Sequence, residues 1–360
     1  MQDFIAKQGR RANCEICGSL GQPCLPACEL TSHFQVFLSY YRCNPSLSPV
    51  GSMLQSDDHS LATVLHSDGI YVFSERVALT KQNALLNAVL KDPNRAATDW
   101  WYSAVIGQFV LSPPEWTMFV VEVKYKNRYN INWEKWDLPA LLKTISPRFV
   151  ENPPAGTVFF RARLHEGRVY EIPDIEFLGP PPPDLARGGR ANASGIQVLY
   201  LSNSAQTAVA ETRPFVGAVV SVAECRPGRD LRILDLTRES KLTGLDPFAD
   251  DFAREMQTAV LIAELNREFA EPILPNTADR DYAPTQFVAE IIRANDYDGI
   301  KYRSAMNTKG NNYVIFYPLL FTITYKFSVR IKGVEVQSEQ YDPEWLEKAM
   351  NSLLKKPTQP

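Results

Sequence analysis

One glutamate in the middle of the chain has the residue type and the position of a catalytic carboxylate. Glu211 falls in the last turn of a short helix predicted over residues 202–212, which opens with capping residues and stops before Pro214. At that end of a helix the macrodipole disfavours an anion by roughly 0.3 to 1 kcal/mol. A residue placed against its local preference indicates a functional site, although a solvated carboxylate or an ion pair with Arg213 would also explain it.

The residues before this helix are predicted to form a ligand crevice. A glycine-rich loop surrounds Arg190, and residues 196–201 alternate as a buried strand does. A strand that runs through a turn into a helix exposes side chains at its carboxyl end, which is a common ligand site in α/β folds. Tyr200 lies at that end, so the sequence predicts an aromatic ring close to the Glu211 helix.

Two arginines on another predicted strand point to an anionic ligand. The strand begins at residues 158–162 and presents Arg161 and Arg163 on one side, because alternate residues share a face. Two cations on one face repel each other unless an anion lies between them. A guanidinium binds pyrophosphate through two parallel hydrogen bonds, so a dinucleotide is one natural ligand. Two separate salt bridges at a strand edge are the alternative.

Cysteines are concentrated at the start of the chain, where five of the six lie within the first 43 residues. The first residues lack the apolar core of a signal peptide, so such crowding favours a metal over disulfides. Cys14 and Cys17 have zinc-knuckle spacing, and Cys24 and Cys28 are candidates for a second pair. Four thiolates would make a closed structural zinc site; reduced cysteines without metal are the alternative.

Composition excludes several classes of protein. Lys and Arg number 38 against 41 Asp and Glu, which gives a net charge of −3 and no global field toward nucleic acid or an anionic membrane. No run approaches the about 18 apolar residues that a membrane span requires. With 45% apolar and 22% charged residues, the chain has the composition of a globular protein, for which we expect a cytoplasmic location.

The elements that must position these residues fall into two parts. Helical periodicity before residue 150 predicts a mostly helical region, in which residues 116–123 favour a helix although MFVVEV alone could be a strand. Prolines after residue 146 mark a boundary, beyond which strands and helices mix. The predicted helices cover 84–90, 96–110, 138–145, 248–269, 285–294 and 343–354, and the further strands cover 218–223, 231–236, 300–302 and 313–316.

Several short blocks, taken in order, resemble a RES domain over about residues 155–320. They are Phe160-Arg161-Ala162-Arg163, Gly189-Arg190-Ala191-Asn192, Leu199-Tyr200-Leu201, Ala208-Val209-Ala210-Glu211, Thr285-Gln286, Asp298-Gly299-Ile300 and Tyr302-Arg303-Ser304. The resemblance implies an α+β fold with an ADP-ribosyltransferase-like mixed β core and flanking helices. The expected divisions are 1–50 (cysteine-rich), 51–150 (helical), 151–330 (catalytic) and 331–360 (tail with a short helix).

The resemblance also implies an activity. Family members act as toxins that destroy NAD by hydrolysis or phosphorolysis, and an antitoxin partner usually restrains them. The residues expected to be catalytic are Arg161, Tyr200, Glu211 and Ser304, and those expected to bind NAD are Arg163, Arg190, Asn192 and Tyr302. Ser304 has no histidine nearby and, taken alone, would be a turn residue. NAD is then a consumed substrate, and zinc, if bound, is structural.

The region before residue 150 resembles the zinc-binding, HEPN-like helical region found ahead of some RES domains. It lacks the additional upstream cysteine pair of those relatives and the Arg and His pattern of HEPN ribonucleases, so RNA cleavage is not predicted. Two other functions stay open: ADP-ribosyl transfer to a protein or nucleotide, and a noncatalytic zinc and helix binding module that senses NAD. Restraint by an antitoxin or by the N-terminal region, the choice of water or phosphate, and homo-oligomerisation are also open.

Overall fold

A computed structural model describes most of the chain, namely residues 2–15, 18, 20–38, 41–43, 60–67, 70, 72–73, 77–90, 96–98, 101–102, 114–132, 138–165, 174–240, 249, 251–273 and 275–335. The helices are α1 (Gln2–Gln8), α2 (Thr31–Leu38), α3 (Leu61–Ser67), α4 (Leu79–Leu90), α5 (Pro114–Tyr125), α6 (Leu138–Lys143), α7 (Ile175–Leu178), α8 (Ala205–Glu211), α9 (Phe252–Ala270), α10 (Ala278–Asp281) and α11 (Ala283–Ala294). The strands are β1 (Arg10–Ala12), β2 (Gln22–Cys24), β3 (Arg42–Cys43), β4 (Trp101–Tyr102), β5 (Val150–Glu151), β6 (Phe159–His165), β7 (Leu199–Ser202), β8 (Val219–Pro227), β9 (Ile233–Asp235), β10 (Gly299–Arg303), β11 (Asn311–Ile315) and β12 (Phe321–Arg330).

An eight-stranded mixed sheet organises the second half of the chain, in the order β12-β8-β6-β7-β11-β10-β9-β5. Neighbouring strands are antiparallel, with the exception of the parallel pair β10 and β9. Seven residue pairs join β6 to β8, whereas β6 and β7 share the single pair Phe160 and Ser202. The sheet therefore opens between β6 and β7, at its centre.

Apolar side chains form one core on each face of this sheet. The smaller core surrounds Phe159, Leu199 and Tyr313. The larger one contains Ile262 of α9 and Val288 of α11, and it continues without interruption into the helices that precede residue 150. Burial of these faces is the main favourable term in forming both layers.

The helices before residue 150 pack directly on α11. Phe119 of α5 is fully buried, and its ring lies 6.4 Å from that of Phe287 in an edge-to-face arrangement. Lys124 of α5 lies 3.6 Å from Asp281 of α10. The division of the chain at residues 50, 150 and 330 stays a prediction, but the helical region and the sheet region share a core.

Most of the elements predicted after residue 150 are present, and α5 confirms the helical interpretation of residues 116–123. The helix predicted over 96–110 is wrong where the structure describes it, because Trp101 and Tyr102 form β4 and pair with β3. Aromatic side chains favour such cross-strand pairs, and this preference outweighs the helical spacing of a short segment. Residues 44–59 and the helix predicted over 343–354 lie outside the described residues.

The predicted zinc site is only partly described. Cys24 lies on β2, where its Sγ approaches the carbonyl of Ala12 at 3.6 Å, and Cys28 lies on a short 3-10 helix. Cys17 is outside the described residues, and within the described ones no group of three or more His, Cys, Asp and Glu side chains could hold a metal ion. The zinc site therefore stays a prediction. Of the helices described, none is long and apolar enough to cross a membrane.

The packing of α5 predicts a large difference between two neighbouring residues. Phe119 is fully buried, whereas Met118 is 61% exposed. We expect Phe119→Ala to lower the free energy of unfolding by about 3 to 5 kcal/mol because it leaves a cavity in the shared core, and Met118→Ala to change it by less than about 0.5 kcal/mol. Urea denaturation followed by circular dichroism measures both. Equal effects would contradict the packing described here.

Candidate active site

A cavity of about 360 Å³ lies where β6 and β7 diverge. Both strands line it, together with α8 and with residues 189–190 of the loop that precedes β7. Its volume is within the range of about 300 to 1,000 Å³ that is usual for small-molecule sites. The polar side chains that line it include those of Arg161, Arg190, Tyr200, Glu211, Tyr302 and Asn312.

Glu211 is the last residue of α8 and lines this cavity. Ser204 caps the start of the helix by accepting a hydrogen bond from the backbone N–H of Thr207, as the sequence predicted. At the other end, Glu211 Oε1 accepts hydrogen bonds from Ser304 Oγ and from Asn312 Nδ2, both at 2.6 Å. Two neutral donors, rather than Arg213, therefore compensate for the unfavourable end of the helix dipole.

Ser304 lies just beyond β10 and is buried. Its Oγ accepts hydrogen bonds from the backbone N–H groups of Met306 and Asn307, at 3.2 and 3.0 Å. A hydroxyl has one proton to donate, and that proton is directed at Glu211. Ser304, expected to be catalytic, thus contacts and orients Glu211 and is not among the residues that line the cavity.

Arg161 brings a positive charge into the gap between the strands. Its Nη1 donates to the backbone carbonyl of Tyr200 at 3.0 Å, across the break in the sheet. Its Nε is buried and has no hydrogen-bond partner among the described residues. Burial, followed by the charge of Arg163, lowers the pKa of Arg161 to about 10, so the group remains a cation at neutral pH. A buried cation with an unused donor is suited to an anionic ligand.

Arg163 lies on the same face of β6 but points away from the cavity. Its Nη2 donates to the carbonyl of Gly179 at 2.8 Å, and its guanidinium lies 5.5 Å from the centre of the Phe177 ring. Burial lowers the pKa of Arg163. The structure therefore separates the two arginines that the strand pattern grouped, and only Arg161 lines the site.

The loop that carries Arg190 is held by a network centred on Tyr200 and Asn192. The Tyr200 hydroxyl donates to Asn192 Oδ1 at 2.9 Å and accepts from the N–H of Ala191 at 3.1 Å. Asn192 is buried, and its Nδ2 donates to three backbone carbonyls of the same loop. Asn192, expected to bind NAD, is thus committed to the loop. Burial raises the pKa of Tyr200 well above its usual value, so its hydroxyl stays neutral.

Arg190 and Tyr302 are both placed at the cavity, as expected. Arg190 Nη1 donates to the carbonyl of Glu271 at 2.5 Å, and its guanidinium lies 5.8 Å from the centre of the Tyr282 ring. Tyr302 is buried on β10, and burial raises the pKa of its hydroxyl, which therefore stays protonated. The cavity lining thus combines two guanidinium groups, one carboxylate and four aromatic side chains, which are Phe160, Tyr200, Tyr282 and Tyr302.

Two polar residues that hold the site were not predicted from the sequence. Asn312 is the second residue of β11 and is buried, and an amide directly before the apolar residues of a core strand was the available signal. Gln286 of α11 donates to the carbonyls of Gly189 and Asn192 at 2.8 and 2.9 Å, which pins the loop from the opposite side. Gln286 was part of the resembling blocks, but no role could be assigned to it without the contacts.

The chain is similar to known proteins in the second half of its length. The family model of the RES domain matches residues 159–337. This RES segment contains the whole cavity lining described above. Among solved structures, a chain of the crystal structure of the M. tuberculosis MbcT–MbcA toxin–antitoxin complex aligns over 54% of this chain and 92% of its own length, with 16% identity and a TM-score of 0.30. A search of curated proteins gave no match.

The loop network of the RES segment predicts different effects at two adjacent glycines. A Cβ at Gly189 would lie 2.6 Å from the Tyr200 hydroxyl, which two hydrogen bonds fix, whereas a Cβ at Gly188 would make only contacts of 3.6 Å or longer. We expect Gly189→Ala to lower the free energy of unfolding by about 1 to 3 kcal/mol and Gly188→Ala to change it little. Thermal denaturation of the two variants tests this. A Gly188 variant as unstable as the Gly189 variant would argue against the network.

Proposed function

We propose that the RES segment cleaves the glycosidic bond between nicotinamide and ribose in NAD. The observation that carries the proposal is that an oriented carboxylate, Glu211, and an uncompensated cation, Arg161, line one cavity. NAD carries complementary charges, because its pyrophosphate is anionic and its nicotinamide-bearing ribose becomes cationic as the bond breaks. The family match over residues 159–337 supports the same activity.

The carboxylate stabilises the charge that develops during the reaction. As the bond from ribose C1′ to nicotinamide nitrogen breaks, its electron pair leaves with nicotinamide and the ribose becomes an oxocarbenium ion. Glu211, with Oε1 fixed by two donors, is positioned to face that charge and to orient the attacking oxygen of water or phosphate. Preorganised groups of this kind contribute roughly 2.7 to 4 kcal/mol to transition-state stabilisation. Ser304 acts by holding Glu211.

The remaining lining residues position the substrate. Arg161 and Arg190 both line the cavity, and their guanidinium groups would bind the pyrophosphate and so align the scissile bond. Tyr200 contributes its ring, since its hydroxyl is already bonded within the loop, and Tyr302 contributes a neutral hydroxyl and ring. Arg163 does not contact the ligand in this assignment and keeps the neighbouring α7 segment in place.

The proposed biological role is that of a toxin, which depletes NAD and which a protein antitoxin restrains. The RES match supports this role. Restraint by the helices before residue 150 is a second way to control the same site, because they pack on the helix that holds the Arg190 loop. Mass spectrometry of the products separates free ADP-ribose or its phosphate from an ADP-ribosylated acceptor.

The first test removes the charge of the carboxylate. We expect Glu211→Gln to lower the rate of nicotinamide release by about 100-fold or more, because the neutral amide cannot stabilise an oxocarbenium ion, while NAD binding is largely retained. Nicotinamide release is measured by chromatography and binding by calorimetry. Glu290→Gln, at an exposed position of α11, is the matched control and should keep wild-type turnover. Unchanged turnover in Glu211→Gln would refute the assignment.

The second test separates the two arginines of β6 without changing net charge. In the inactive Glu211→Gln background, we expect Arg161→Lys to weaken NAD binding by about 10-fold, because lysine lacks the planar fork, and Arg163→Lys to weaken it by less than about 3-fold. Titration calorimetry gives both dissociation constants. The reverse order of effects would place the pyrophosphate at Arg163 instead.

A further inference from the structure

In the part of the chain that the structure describes, hydrogen bonds reach only one oxygen of the Glu211 carboxylate. Ser304 and Asn312 both donate to Oε1 at 2.6 Å. Among the described residues no donor reaches Oε2, although Glu211 is exposed to the cavity. A carboxylate with one oxygen bound on the protein side presents the other oxygen in a defined direction.

Asn312 is itself held in one orientation. Its Oδ1 accepts a hydrogen bond from Ser202 Oγ at 2.8 Å, and both residues are buried. Rotation of the amide by 180° would place Oδ1 against the carboxylate and Nδ2 against Ser202, and Glu211 would then lose the hydrogen bond from Asn312. The order Ser202 to Asn312 to Glu211 is therefore a chain of hydrogen bonds with a fixed direction.

This chain spans the part of the sheet that stays intact beside the gap. Ser202 and Asn312 are direct partners in the β7 and β11 register. They belong to two rigid strands, whereas Glu211 is at the end of a seven-residue helix. The strands thereby fix the carboxylate more firmly than the helix end alone can.

We propose that Asn312 is a positioning residue for the NAD-cleaving carboxylate. It holds Oε1 of Glu211 together with Ser304, so that Oε2 is directed at the ribose. This inference rests on the proposed function only for the identity of the substrate. The coupling between Asn312 and Glu211 is a property of the protein without NAD.

The kinetic test replaces the amide by an apolar group of similar size. We expect Asn312→Leu to lower kcat by about 10- to 100-fold, the loss associated with one hydrogen bond to a charged group, with KM within about 3-fold of the wild-type value. Asn311→Leu is the matched control, because the next residue on the strand points to the opposite face, and it should keep both constants. A raised KM with unchanged kcat would show that Asn312 binds the substrate directly, which overturns the inference.

A stability cycle tests the coupling without substrate. Asn312→Leu should lower Tm more in the wild-type protein than in the Glu211→Ala background, because the hydrogen bond between Asn312 and Glu211 is already absent from that background. Equal shifts overturn the inference. Should Asn312→Leu fail to fold, the cycle is repeated with Asn312→Asp, which keeps the shape of the amide. Asn312→Asp should lower Tm more in the wild-type protein than in the Glu211→Ala background, because only the wild-type protein then has two neighbouring carboxylates. Equal shifts in the two backgrounds again overturn the inference.

The two experiments also separate this inference from the proposed function. A coupled pair in a protein that does not consume NAD leaves Asn312 as the support of Glu211 and refutes only the NAD assignment. A protein that consumes NAD but shows neither coupling nor a fall in kcat refutes only the role of Asn312.

Discussion

The central constraint in this fold is the gap in the sheet between β6 and β7. A continuous sheet would satisfy its backbone groups by pairing, whereas here the Arg161 side chain supplies a donor to the Tyr200 carbonyl across the gap. Because a side chain and not a backbone group makes this hydrogen bond, the strands stay apart and the guanidinium of Arg161 lines the cavity between them. One residue therefore bridges the two strands and also lines the cavity. Its Nε is buried and has no hydrogen-bond partner among the described residues.

The cavity is also linked to the helices before residue 150. Gln286, which pins the Arg190 loop, precedes Phe287, which packs on Phe119 of α5. Tyr282, which lies under Arg190, follows Asp281, the partner of Lys124. Each contact with the helical region is thus one residue away from a contact with the loop. A displacement of α5 would reach the loop through α10 and α11, which gives a physical route by which the first part of the chain can act on the site.

Much of the RES segment was predictable because its local signals agree with its tertiary environment. Alternation indicated β7, apolar segments indicated β6 and β8, and the capping residues and Pro214 bounded α8 within a few residues. Glu211 was recognisable because it violates the preference of a helix end. The helix over 96–110 failed because aromatic residues at helical intervals also suit a strand pair, and the choice depends on β3, which is distant in sequence. β12 went unpredicted, although its residues alternate between apolar and polar types.

Periodicity predicts the face of a strand but not the partner of each side chain. Arg161 and Arg163 share a face, yet the gap beside β6 opens next to Arg161, and the Gly179 carbonyl lies within reach of Arg163. Ser304 and Asn192 were expected to act at the site because the resemblance to a RES domain implies it. Their protons are instead committed to Glu211 and to the loop backbone. A polar residue whose hydrogen bonds are satisfied within the protein acts on the substrate only through the residue that it holds, and that distinction requires coordinates.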